Sequence, residues 1–149
     1  MDGFLQSIDT MGTQKLIDHL NEALGWELRA VNMYAHYAAN IQGIHRLQLG
    51  PMFNGEATES LAHADVVRRS IVKLGGIPVT ERNPHPIVHT TEFNAMLEHS
   101  LETETKAAEV YANIIQLVDD VGDQEMYDAI EQIYLAELRS LEDLRLIMA

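Results

Sequence analysis

The sequence predicts an all-α protein, a bundle of four helices in which the second and third are joined by one long crossover. Three observations carry this. Four segments repeat apolar residues at alternating three- and four-residue steps, the signature of a helix with one buried face. Glycine-containing breaks separate them at Gly43, Gly75-Gly76 and Gly122-Asp123. The second break continues through Ile77 to His89, which holds Pro78, Pro84 and Pro86 and so fits neither a helix nor a central strand. No segment alternates apolar and polar residues as a strand would.

Residues 1–149 read as a single domain. The first nine or so residues read as an arm, and Gly12-Thr13 as a helix start with Thr13 as N-cap. A first helix over about 13–42 then places Leu20, Leu24, Glu27, Val31, Tyr34, Ala38 and Ile41 on one stripe. Gly50-Pro51 reads as the start of a second helix, over 51–75, because proline suits a first turn. Its stripe is Phe53, Glu56, Ser60, His63, Val67, Ser70 and Leu74, apolar at both ends and polar in the middle.

The connection that follows is long enough to change the topology. About fourteen extended residues, at roughly 3.3 Å each, travel some 45 Å. A second helix at roughly 1.5 Å per residue is about 36 Å long. The connection can therefore cross the whole bundle and leave the third helix parallel to the second; a plain loop on an up-and-down bundle is the alternative. The third helix, over 91–121, carries Leu97, Leu101, Glu104, Ala108, Tyr111, Ile115 and Val118. The fourth, over 124–148, carries Ile130, Tyr134, Glu137, Leu141, Leu144 and Met148.

An internal repeat underlies the four stripes. Glu27 to Ser60 (60 − 27) and Glu104 to Glu137 (137 − 104) are both steps of 33 residues. One offset of 77 carries Glu27 onto Glu104, Tyr34 onto Tyr111, Ser60 onto Glu137 and His63 onto Ser140. Two related helical hairpins are expected to face each other, so that Glu27, His63, Glu104 and Glu137 converge from four helices. Free charges in such an interior are costly. A divalent cation offsets their repulsion, and a set of oxygens with one imidazole suits iron, manganese or zinc.

Composition narrows the classes of partner. The formal net charge is -13, which disfavours nucleic acid and anionic membranes and favours cations. There is no cysteine, so a metal must be held by His, Asp or Glu. Hydrophobic residues make up 46%, but no apolar run approaches the roughly 18 residues that span a membrane. The N-terminus lacks a basic region followed by an apolar segment, so a cytoplasmic protein is expected.

The segments Asn21 to Tyr34, Glu59 to Asp65, Leu101 to Glu104 and Ile133 to Glu137 resemble the bacterioferritin and ferritin family, and the likeness runs from about Leu16 to Met148. The resemblance implies a ferritin-like four-helix bundle with the long crossover, and a di-iron centre built from a Glu, a Glu-x-x-His, a Glu and a second Glu-x-x-His. It implies that Glu27 and Glu104 are the terminal carboxylates, His63 the histidine of the second helix and Glu137 the bridging glutamate of the fourth. Tyr34 matches a tyrosine beside the centre that can donate an electron or a hydrogen bond. Homo-oligomers, dimers or larger shells, are implied as well.

This chain also departs from the family pattern. Ser60 stands at the other bridging glutamate and Ser140 at the other histidine. Glu27, His63 and Glu137 remain as one strong metal site, and Glu104 with Glu137 as a weaker one. Glu56, one turn before Ser60, is the candidate replacement, while the adjacent Glu59 points further round the helix. One or two irons per chain are expected. Haem is not expected, because Leu61 stands where the family's haem-binding methionine would be, and Met52 is too far along the helix. Nor is a fifth helix expected. The other histidines (19, 36, 45, 85, 89 and 99) read as surface residues, and Trp26, Tyr37 and Tyr127 as packing or interface residues.

The expected function is Fe(II) oxidation by O₂ or peroxide with iron storage or detoxification. Two alternatives stand beside it: a non-catalytic structural subunit, and a one-metal enzyme that processes oxygen or peroxide.

Overall fold

The computed structural model describes the backbone of residues 3–149 and the side chains from Met11 onward. The described residues form four helices and no strand: α1 (Gly3–Asn40), α2 (Arg46–Lys73), α3 (Phe93–Val121) and α4 (Gln124–Met148). α1 packs on α2 and α3, and α4 packs on α3 and, more lightly, on α2.

Two helix starts differ from expectation. α1 begins at Gly3, so the expected arm is helical from there on, residues 1 and 2 lie outside the described residues, and Thr13 is interior rather than a cap. α2 begins at Arg46 and runs through Gly50 and Pro51. Packing overrides the local signals at both places. A Cβ at Gly12 would sit 3.3 Å from Val121, and Gly50 is buried with Ala38 behind it. Pro51 removes one helical bond, to the carbonyl of Leu47. Leu47 is exposed, so water can satisfy that group. The two turns close where glycine is needed: Gly43 has φ 97° and Gly75 has φ 83°, both in the left-handed region. Asp123 caps α4 by accepting a hydrogen bond from the Met126 N–H at 2.8 Å.

Residues 74–92 form the crossover, and they run alongside α1 in its own direction. Asn21 donates to the Ile77 carbonyl and accepts from the Val79 N–H. The Asn83 N–H donates to the Gly25 carbonyl at 2.9 Å, and a Cβ at Gly25 would lie 3.4 Å from the same nitrogen. Arg29 donates to the carbonyls of His85 and Pro86 at 2.9 and 2.8 Å. The Tyr37 hydroxyl donates to the Val88 carbonyl, and the Gln42 N–H to that of Thr91. The crossover thus climbs from the level of Asn21 to the end of α1. It delivers the chain to the start of α3, so that α3 runs parallel to α2, as the length of the connection predicts.

Arg29 is the pivot of this strap. It is 4% exposed, it donates to Thr103 of α3 at 2.8 Å as well as to the two crossover carbonyls, and it stacks on Trp26 at 5.4 Å. One guanidinium therefore joins α1, α3 and the crossover. Replacing it leaves the Pro86 carbonyl and the Thr103 hydroxyl short of a donor, and the His85 carbonyl with Arg82 alone. Arg29→Met is expected to cost about 2–3 kcal/mol in urea denaturation, and to speed proteolytic cleavage within residues 77–89.

Candidate metal centre

The apolar core is divided into two clusters. One gathers Leu16, Leu20, Leu24, Ala64, Val67, Tyr111, Ile130 and their neighbours. The other gathers Met33, Tyr34, Tyr37, Phe53, Met96, Leu97, Leu144 and theirs. Along each helix the polar residues fall in the gap between them: Glu27 lies between Leu24 and Ala30, His63 between Phe53 and Val67, Glu104 between Leu97 and Tyr111, and Glu137 between Ile133 and Leu144. The heptad-like spacing of the four stripes brings these levels together in the middle of the bundle.

Three residues meet there. The His63 Nδ1 lies 3.0 Å from Glu27 Oε2 and 3.3 Å from Glu137 Oε1. One donor atom from each of the three lies within 4.8 Å of the others, close enough to share one cation. Glu27, Glu104 and Glu137 are each 2–3% exposed. The other side of the His63 ring faces outward, where Nε2 is 3.6 Å from Glu59 Oε1. Glu59 is therefore the outer flank of the imidazole.

The remaining candidates form an adjoining half. Glu104 accepts a hydrogen bond from the Tyr34 hydroxyl at 2.6 Å and shares another with Glu137. Glu56 lies outside the group of three and takes a long hydrogen bond, 3.4 Å, from the Ser140 hydroxyl. Ser60 is buried. Thus Glu27, His63 and Glu137 come together directly, Glu104 joins them through Glu137, and Glu56 stands with Ser140 beside them.

Sequence reasoning gave Tyr111 no part in the site. Its hydroxyl donates to Glu27 Oε2 at 3.1 Å, and Tyr34 donates to Glu104, so each hairpin's tyrosine holds the other hairpin's terminal carboxylate. The offset of 77 that relates Tyr34 to Tyr111 was the available signal. Arg29 was also missed. A buried arginine two residues from Glu27 leaves no trace in an apolar stripe, because its partners are the backbone carbonyls of a distant segment.

Burial and like charge govern ionisation in this cluster. Burial pushes the Glu27 carboxyl up to about 7 despite the neighbouring His63. Glu56 is also raised to about 7, by burial and then by the charges of Glu104 and Glu59. Glu104 is raised by burial and by Glu137, and Glu137 is raised by burial, with Glu104 and His63 opposing. For His63, burial acts downward but is outweighed by Glu137 and Glu27, which lift the imidazole to about 10. Protons thus stand in for a cation. Two carboxylates and an imidazole, with a third carboxylate adjoining, fit a divalent first-row metal that displaces those protons.

A ferritin-like domain family model matches residues 17–148, and the chain belongs to that family. The bacterioferritin of Brucella melitensis biotype 1 is 32% identical over 114 residues, 75% of this chain and 69% of that protein. A bacterial ferritin of Neisseria meningitidis serogroup B is 27% identical over 132 residues, 89% of this chain and 82% of the relative. Among solved structures, a ferritin-like, diiron-carboxylate protein from Bacillus anthracis superposes with a TM-score of 0.87 at 28% identity, covering 93% of this chain and 98% of that one. The dodecameric thioferritin of Bacteroides fragilis, a bacterioferritin-related protein, superposes at 0.81 with 25% identity, covering 89% and 83%. No helix among the described residues is long and apolar enough to cross a membrane.

The ionisation pattern fixes a pH dependence. Every raised group binds its proton more tightly folded than unfolded, so the stability it contributes is complete below the unfolded value and is lost as pH rises through the folded one. For Glu27 and Glu56 the loss runs from about 4.5 to about 7, and for His63 from about 6.5 to about 10. Metal-free protein is therefore expected to melt at a progressively lower temperature between pH 5 and pH 10. Thermal scans across that range check it, and a melting temperature that rises with pH refutes it.

Proposed function

We propose that this chain binds Fe(II) as substrate at the Glu27–His63–Glu137 cluster and promotes its oxidation by O₂ or peroxide, in the service of iron storage or detoxification. The observation that carries this reading is the meeting of these three donors in a dry interior. The family supports iron as the metal. Manganese and zinc suit the same donors.

The chain's own residues supply four effects. Glu27 and Glu137 provide negative charge that favours Fe(III) over Fe(II), and so lower the cost of losing an electron. His63 Nδ1 supplies the third donor, and the Glu59 carboxylate, 3.6 Å behind the ring, favours a proton on Nε2 and so leaves Nδ1 free for the metal. Protons held by Glu27, Glu104 and His63 leave as the cation arrives. Tyr34 and Tyr111 fix the two terminal carboxylates through their hydroxyls, and Tyr34 is placed to donate an electron or a hydrogen bond. The electron lost by Fe(II) passes to the oxidant, and the oxidised ion moves on to a mineral or a partner.

The two halves of the site are unequal, and this supports a strong site beside a weak one. The second position has Glu104 and a shared Glu137, with Glu56 and two serines in place of a bridge and an imidazole. We propose that one Fe(II) binds tightly per chain and a second only weakly through Glu104 and Glu56. A homo-oligomer in the cytoplasm, in the manner of ferritin shells, fits this reading.

An anaerobic Fe(II) titration tests it. One tight equivalent is expected, abolished by His63→Ala and by Glu137→Ala and unaffected by His85→Ala. A titration with no tight equivalent would transfer the case to a structural subunit. The double substitution Ser60→Glu with Ser140→His restores the family's ligand types, and is expected to add a second tight equivalent and to speed aerobic oxidation.

A further inference from the structure

The crossover makes a second group of metal-binding atoms, on the outside of the bundle. His36 lies on α1 and His89 near the end of the crossover, and both side chains are exposed. The sequence gives no reason to join them, since they are far apart along the chain. The path of the crossover does join them. His36 Nε2 and His89 Nδ1 face each other at 2.8 Å, with ring centroids 5.1 Å apart and the planes at 69°. The Asn40 amide nitrogen lies beside the His36 ring, 3.4 Å from Nδ1 and 3.5 Å from Nε2, and donates to the His36 carbonyl at 2.8 Å.

We propose that His36 and His89 form a surface clasp for a late first-row divalent cation, Ni(II), Cu(II) or Zn(II), separate from the interior carboxylate cluster. Imidazole is the ligand these ions favour, and their affinities rise toward Cu(II). The spacing suits them. Two metal–nitrogen bonds of about 2.0–2.1 Å meeting at a right angle place the nitrogens about 2.9 Å apart, as in the tetragonal sites of Cu(II) and Ni(II). The rings now meet end to end. Each therefore turns by about 45° to aim its lone pair at the ion, or by about 35° for a tetrahedral angle with the nitrogens about 3.3 Å apart. Both side chains are exposed and free to turn.

In the uncharged pair one ring donates its N–H to the other. Coordination requires that ring to carry its proton on its other nitrogen, an exchange made through water that needs no change in net charge. Both facing nitrogens then present lone pairs. Water fills the remaining positions, because both rings are open to solvent.

The backbone holds the two rings in place on either side of the pair. The Tyr37 hydroxyl binds the Val88 carbonyl at 2.9 Å, and the Gln42 N–H binds the Thr91 carbonyl at 3.1 Å. This preorganisation removes much of the ordering cost of bringing two ligands to one ion. A bound cation would in turn fasten the end of the crossover to α1, just before α3 begins. The crossover would then be stabilised with the logarithm of the free metal concentration once that exceeds the dissociation constant. This differs from the interior cluster in ligand type, exposure and preferred metal.

The probe is Cu(II) alone, titrated into metal-free protein carrying His63→Ala so that the interior donor set is broken. The expected result is a site whose electron paramagnetic resonance spectrum shows two coordinated nitrogens. His36→Ala and His89→Ala should each weaken it, and by at least the roughly 10- to 100-fold that loss of a mere outer hydrogen-bond partner costs a metal site. The double substitution should weaken it little further than either alone. In the chain with His63 intact, the same substitutions should remove one class of Cu(II) and leave the interior class. A weakening of less than tenfold in either single variant, or a one-nitrogen spectrum, overturns the clasp. Neither result bears on Fe(II) binding inside the bundle, so the two proposals fail separately.

Discussion

The constraint on which the rest depends is the enclosure of Glu27, Glu104 and Glu137 with a single imidazole in the middle of a dry bundle. Three carboxylates at 2–3% exposure cannot all be ionised beside one His63 without a heavy desolvation cost. The metal-free protein meets this by holding protons, which is why the carboxyls and the imidazole all shift toward their protonated forms. A divalent ion meets it better, because it brings two positive charges to atoms already aimed at one point. Apolar layers above and below bury the three carboxylates and make the exchange of protons for metal a property of the fold.

The same centre explains the hairpin repeat. Tyr34 holds Glu104 and Tyr111 holds Glu27, so the terminal carboxylates are fixed by reciprocal bonds across the two halves. The symmetry fails on α2 and α4, where Ser60 answers Glu137 and Ser140 answers His63. The failure leaves space and hydroxyls where a carboxylate and an imidazole would have been, and Glu56 reaches Ser140 from one turn earlier. A twofold arrangement of helices therefore carries a one-sided set of donors.

Much of this was legible in the sequence because the fold and the site share one signal. A glutamate in the centre of an apolar stripe reveals both the helix and the need for a partner, and four such stripes suffice to place Glu27, His63, Glu104 and Glu137 at one level. The long proline-bearing connection favoured the crossover by its length, which left a plain loop on an up-and-down bundle open until its course along α1 was seen. What escaped depended on tertiary context. Gly12 and Gly50 read as helix starts, yet packing against Val121 and Ala38 sets both inside helices. Arg29 and the His36–His89 pair escaped because their partners lie in the crossover, whose course along α1 no local pattern encodes. Tyr111 escaped for a different reason: the repeat pointed to it, but a tyrosine in a stripe reads as packing.

The unequal centre bears on whether this chain handles metal or is only a scaffold. A scaffold has no need of three buried carboxylates at one point, since apolar side chains of similar volume often fill an interior at equal or greater stability. Ser60 and Ser140 show the interior accepting neutral residues at two ligand positions, and Ser60 does so while buried. At the other positions the carboxylates and the imidazole persist, joined to one another and braced by two tyrosines whose hydroxyls serve only those carboxylates among the described contacts. Such bracing fixes the direction of the lone pairs, which a ligand needs and a packing residue does not. The physical balance of the site therefore favours a protein that accommodates a cation at one end of its centre over one that has lost the use of it.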